Sequence, residues 1–336
     1  MISSRKGCEP VKTETQLAKL IRITKNKARY DNQVKKLLAN QAILAWILKT
    51  CTEEFAPYRI QEIESCIQGD PEISLGAVHP NDTDRDGPLL DGDVFQEGMN
   101  TEDGSFREEN IYYDIRVNAR APSDGIPIEL IINIEVQLNP SPGYPIEKRA
   151  VYYCSRLISS QYGTVFAHSE YQKLRKVYSI WFCTDPPRKR KNTIKKISLK
   201  ETPVFGQPDT SGKDSDLMQI LIINLGDAEG SVENQILRLM NVLLSTKTDV
   251  REKQRVMQEE FHIAMTTELE VEVEELCNLS QGIYNEGFET GIEKGIQGAV
   301  AILREEGYRD QQIIERIQKR YGLTLEEAEK YVIVQV

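Results

Sequence analysis

An α/β core followed by an α-helical tail is the fold class that this sequence predicts. Three observations carry it. Segments 111–119 and 130–138 alternate apolar and polar residues with a period of two, as strands do. Helical repeats lie on either side of them. Beyond residue 245 the pattern is helical, Glu-rich at first and glycine-spaced later. The expected organisation is a basic, poorly ordered leader over 1–30, an α/β domain over 31–245 and a helical tail over 246–336.

The elements follow in order. Val34, Leu37, Leu38, Ile43, Ala45, Trp46 and Leu48 predict a helix from Asp31 towards Glu53-Glu54-Phe55, stopping near Pro57. A short helix is expected over 59–67, and then a Gly-, Asp-, Asn- and Pro-rich loop over 69–110 with room for one strand. Strands 111–120 and 128–138 come next. Pro145 suits the first turn of a helix running from Ile146 to about Gln161, because its missing N–H costs little there. Val177–Cys183 and Leu217–Leu225 are compact β-rich runs. A helix over 232–245 and a long Glu-rich helix filling much of 249–280 complete this part.

In the tail, Gly287, Gly291 and Gly295 recur every four residues beside Phe288, Ile292, Ile296 and Val300. Such a stripe lets a second helix approach closely, which points to self-association through the tail; a weak linker helix fits equally. Glu293 and Lys294 exclude a membrane span. Helices 310–320 and 324–332 end the chain, with Gly322 as a stop and Thr324-Leu325-Glu326-Glu327 as a capping box.

Composition narrows the function classes. A net charge of −10 argues against binding nucleic acid over the whole surface. Lys and Arg concentrate in 1–36 and in Arg188, Lys189, Arg190 and Lys191, continuing to Lys195, Lys196 and Lys200. Such a patch can track phosphates or can simply be solvated. No apolar run is long enough to cross a membrane, and no signal core begins the chain. Cysteines 8, 51, 66, 154, 183 and 277 form no CxxC pair, which favours reduced thiols in a cytoplasm over a zinc site or disulfides. The three histidines lie far apart in sequence.

The chemistry concentrates in the strand pair. Asp124-Gly125 is a two-residue hairpin signal. A hairpin centred there sets Asp114 opposite Glu135, and Tyr112 opposite Gln137, on one face. A slip of one residue would separate the carboxylates. Like charges directly opposite are destabilising unless one is protonated, both are solvated or a cation lies between them. Oxygen ligands of this kind suit Mg²⁺ or Mn²⁺. An ordinary solvated hairpin is the alternative. The following helix carries Arg149, Tyr152 and Arg156 on one stripe, where they would hold phosphates or pair with acidic segments.

Tyr113-Asp114-Ile115-Arg116, Ile134-Glu135-Val136-Gln137, Gly143-Tyr144-Pro145, Lys148-Arg149, Tyr152 to Arg156, Ile158 to Gly163 and Val177 to Trp181 occur in that order. This set resembles the PD-(D/E)XK nuclease family transposases, related to the Rpn recombination-promoting nucleases of bacteria. The resemblance implies a restriction-endonuclease-like core, a central mixed sheet flanked by helices. It implies Asp114 and Glu135 as metal ligands, with Gln137 where many members of the wider superfamily carry a lysine. Lys148 or Arg149 would compensate for the missing charge. The helix carboxylate common in the superfamily would be Glu54, or else Glu53.

Two functions fit. One is a Mg²⁺- or Mn²⁺-dependent DNA endonuclease of mobile-element or recombination type. In it Asp114 and Glu135 hold metal, Gln137 positions water, and Lys148, Arg149, Tyr152, Arg156 and residues 188–191 contact DNA. The other is an inactive DNA-binding or self-associating protein that retains the fold.

Overall fold

The alternating segments pair as their polarity demands. The computed structural model describes residues 16–74, 113–123, 125–138, 142–208, 210–212 and 214–333. Strand β2 (Ile115–Ala121) runs antiparallel to β3 (Ile128–Gln137), with Ile115 opposite Ile134 and Ala121 opposite Ile128. This is the register expected of a hairpin centred on Asp124-Gly125, although Asp124 itself lies outside the described residues. Tyr112, the expected partner of Gln137, also lies outside them.

Ala28–Cys277 form one compact unit. Its mixed sheet is ordered β1-β2-β3-β4-β6-β5, with β1 at Ile67–Ile73, β4 at Lys176–Cys183, β5 at Thr193–Ser198 and β6 at Met218–Asn224. The pairs β3–β4 and β4–β6 are parallel and the rest antiparallel. The parallel strands β4 and β6 read as unbroken apolar runs because both their faces are covered. Edge strand β1 bulges between Gln68 and Glu72, where Pro71 cannot donate to the ladder.

Helix α4 (Ile146–Ser159) returns from the end of β3 to the start of β4. Its Ala150, Tyr153, Cys154 and Leu157 pack on Ile131, Val177, Trp181, Cys183, Ile220 and Ile222. Odd-numbered side chains of β3 and β4 therefore face α4. Helices α1 (Gln16–Leu38), α2 (Gln41–Cys51), α3 (Ile60–Glu64) and α5 (Gln235–Leu243) supply further apolar residues to the unit, among them Val34, Leu37, Ile43, Leu44, Ile63 and Met240.

Several expectations change. The helix expected from Asp31 is two helices, and the first begins at Gln16, inside the segment read as a poorly ordered leader. Asn40 breaks it: its side chain accepts the Ala42 N–H at 3.1 Å and caps α2. The Glu-rich helix expected over 249–280 is also divided. Helix α6 (Val250–Arg255) passes into a π turn at Val256–Glu260, and α7 (Thr267–Glu305) starts afresh with Leu269 N–H on Thr266 Oγ1. Between them Phe261 and Ile263 are buried, and the Phe261 carbonyl accepts the Trp46 indole N–H. The compact unit thus runs past residue 245 to Cys277. Strand β5 was not expected, because an edge strand with exposed Lys195 and Lys196 has no buried alternation to read.

The second unit holds the C-terminal helices. Ile296, Val300, Ile313, Ile314, Ile317, Ala328 and Val332 form its core, drawn from the end of α7, α8 (Asp310–Tyr321) and α9 (Leu325–Ile333). Gly322 closes α8 at φ +69°, and Thr324 with Glu327 makes the expected reciprocal cap. Gly287 and Gly291 are helical, and a Cβ on either would meet nothing within 4 Å. No helix among the described residues is long and apolar enough to cross a membrane.

Candidate active site

The β2–β3 register carries one step beyond the ladder to set Asp114 beside Glu135. Two hydrogen bonds tie Asp114 to β3. The Asp114 N–H donates to Glu135 Oε1 at 3.2 Å, and the Val136 N–H donates to Asp114 Oδ2 at 2.9 Å. Both side chains and that of Gln137 are nearly enclosed, at 6%, 1% and 6% exposure for Asp114, Glu135 and Gln137. The pair is therefore not a solvated hairpin face. Burial, and then the Asp114 charge, push Glu135 well above the ordinary carboxylate range; Arg149, the Asp114 N–H and Asn133 only partly offset them.

The second oxygen of Asp114 is also engaged. Lys35 on α1 places Nζ 2.9 Å from Asp114 Oδ1 and 2.6 Å from Asp31 Oδ2. Burial alone would lower Lys35, yet the two carboxylates hold its ammonium above the usual range. Sequence reasoning missed both Asp31 and Lys35. Their signal was an i, i+4 acid–base pair beside the stripe of Val34, Leu37 and Leu38, which reads equally as a surface pair.

The other expected site residues divide. Arg149 lies close enough to Glu135 to act on its charge. It donates to Tyr144 Oη at 2.6 Å and Tyr153 Oη at 2.9 Å, and sits 5.0 Å from the Tyr153 ring and 5.4 Å from that of Trp181. Trp181 is the β4 neighbour of Glu135. Lys148 and Tyr152 are exposed on α4, and Arg156 lies two turns beyond Arg149. Arg188, Lys189 and Arg190 form an exposed 3₁₀ turn between β4 and β5. That turn is at the Gln137 end of the sheet, since Cys183 pairs with Gln137 and Thr193 with Asn224. Lys191 instead holds Asp227 through both carboxylate oxygens at 2.9 and 3.1 Å.

Glu54 is a correction. It does not join Asp114 and Glu135. Its carboxylate binds Lys176 Nζ at 2.7 Å and accepts the Tyr178 hydroxyl at 2.6 Å. Lys176 and Tyr178 are even-numbered β4 residues, on the face opposite Glu135 and towards the other end of the strand. Three residues separate Tyr178 from Trp181, about 10 Å along a strand. Glu53, the alternative, pairs with Lys196 on edge strand β5, three strands along the sheet from β3.

The donor set fits a hard divalent cation. Such ions take one or two carboxylates and complete their shell with water. Among the described residues no cluster of three or more His, Cys, Asp and Glu side chains forms a closed metal cage. Asp114 and Glu135 are the two carboxylates that would hold such an ion.

A mixed sheet with helices against it, and a paired Asp and Glu on adjacent strands, define a restriction-endonuclease-like core. Residues 125–279 match the model of the PD-(D/E)XK nuclease family transposases. The match includes Glu135 and Gln137; Asp114 precedes it and enters the site through strand register. No curated protein and no solved structure matches the chain.

Proposed function

We propose that the protein is a Mg²⁺- or Mn²⁺-dependent DNA endonuclease of mobile-element or recombination type, acting in the cytoplasm of a bacterium. The observation that carries this is the buried, cross-strand Asp114–Glu135 pair inside a nuclease-family sheet. Asp114 and Glu135 would hold the cation, which supplies the charge that makes water a better nucleophile and shields the attacked phosphodiester. The Gln137 amide, on the same face two residues after Glu135, hydrogen-bonds the attacking water. Exposed Lys148, Arg188, Lys189 and Arg190 steer the DNA backbone to that end of the sheet. Arg149 and Tyr153, already bonded to each other, stiffen the wall beside Glu135. The test is nicking of supercoiled plasmid with Mg²⁺ or Mn²⁺. Wild type should cut and Asp114→Ala should not; equal activity in both sinks the assignment. Calorimetric titration with Mn²⁺ should show binding by wild type that Glu135→Ala loses.

Two observations favour a second reading, an inactive DNA-binding or self-associating protein. Gln137 carries no charge, and Tyr284, Phe288 and Ile292 stand 56%, 60% and 40% exposed along α7. On that reading DNA binding is salt-dependent and metal produces no cleavage. Phe288→Glu in the full chain would lower the mass seen by light scattering; an unchanged mass removes this helix face from assembly.

A further inference from the structure

Cleaving a phosphodiester places additional negative charge on its oxygens. A site built from carboxylates repels that charge unless cations face it. Asp31, Asp114 and Glu135 supply three acidic groups around this one, and Gln137 adds an amide. Besides Arg116 on β2 and Arg156 on α4, three basic side chains come from the elements nearby. Lys148 is exposed to solvent. The Arg149 guanidinium donates to the Tyr144 and Tyr153 hydroxyls, lies against the Trp181 ring and acts on the Glu135 charge from that side. Lys35 meets the Asp114 carboxylate directly, at 2.9 Å, with its side chain only 5% exposed.

Its placement requires several parts. Asp31, one turn earlier on α1, holds the same ammonium at 2.6 Å. Val34, Leu37 and Leu38 bury the helix face on either side of it. The third contact of Asp114, from the Val136 N–H, fixes the carboxylate that Lys35 meets.

We infer that Lys35 is the functional cation of this site, delivering from helix α1 the positive charge that residue 137 does not provide, with Asp31 as its anchor. This rests on the nuclease reading above. Lys35 faces the attacked phosphate beside Asp114, and Gln137 is left to orient water.

The experiment compares wild type, Lys35→Gln, and Lys35→Gln combined with Gln137→Lys. Plasmid nicking in Mn²⁺ is measured over a range of DNA concentrations, with Mn²⁺ titrations on the same samples. The expected result is a loss of about 100-fold or more in kcat for Lys35→Gln, the scale of one lost electrostatic stabiliser. KM for DNA and Mn²⁺ binding should stay within a few-fold of wild type. The double variant should recover at least tenfold, because the charge returns from the neighbouring strand. A merely structural role would not give that recovery. Wild-type cutting by Lys35→Gln overturns the inference alone. So does a loss that the double variant fails to recover. Absence of cutting by wild type removes the nuclease reading and this inference with it.

Discussion

Replacing Lys176 with methionine should destabilise the unit strongly, and adding Glu54→Gln should undo most of the damage. Lys176 Nζ lies 2.7 Å from Glu54, and the two side chains are 8% and 10% exposed. It also pairs with Asp216, whose side chain is 36% exposed. Removing Lys176 leaves the Glu54 carboxylate buried, with the Tyr178 hydroxyl still donating to it. Breaking a buried pair from one side costs about 3–5 kcal/mol. The half-open Asp216 contact adds at most about 1 kcal/mol, since water screens it. Glu54→Gln removes the stranded charge and keeps an acceptor for Tyr178, so the double variant should lie within about 1.5 kcal/mol of wild type. Urea unfolding followed by the fluorescence of Trp46 and Trp181, which are 8% and 1% exposed, measures both. A single-variant loss below about 1 kcal/mol, or a double variant no better than the single, would refute the reasoning. The same proteins decide what Glu54 is for. Glu54→Gln should bind Mn²⁺ as wild type does, because its carboxylate lies on the sheet face away from Glu135.

Other outcomes follow from the same contacts. Two opposing carboxylates outweigh burial and raise Lys176, so its contribution should be constant up to the ordinary lysine pKa near 10.4 and fade as pH rises through the folded value. Burial works against Asp216, but Lys176 and Gln219 lower it on balance; its share is present above about pH 3.9 and is lost as pH falls through the lower folded value. The stability gap between wild type and Lys176→Met, melted from pH 3 to 11, should therefore narrow towards both extremes. Burial pushes the Cys51 and Cys154 thiols up to about 12 and Cys183 up to about 11. Iodoacetamide at pH 8 should leave all three unlabelled in the native protein, as read by peptide mass spectrometry. Gly322→Ala forces a Cβ into a left-handed backbone at φ +69°. It should cost the C-terminal helices about 1 kcal/mol, seen as a lower melting temperature by circular dichroism.

Much of this site is legible in the order of the amino acids. Period-two polarity along 111–119 and 130–138 selects the strands, and the Asp-Gly pair centres their register, so Asp114 and Glu135 have one arrangement open to them. The Thr324–Glu327 cap and the Gly322 stop are legible for the same reason: their hydrogen bonds close within four residues. The long helix over 31–55 fails because one side-chain hydrogen bond at Asn40 outweighs a continuous apolar repeat. Glu54 fails as a ligand because its partners, Lys176 and Tyr178, lie 122 and 124 residues away.

The sequence by itself determined the strand pair, its facing carboxylates and the helix behind them, because local periodicity and a short turn fix these. Only the tertiary structure decided which charges meet. Lys35 and Asp114 are 79 residues apart along the chain and 2.9 Å apart in space, while Glu54 sits on the far face of the same sheet. Long-range electrostatic pairing leaves no periodic trace in a sequence. It exists only once α1 and the sheet have packed and water has been excluded between them.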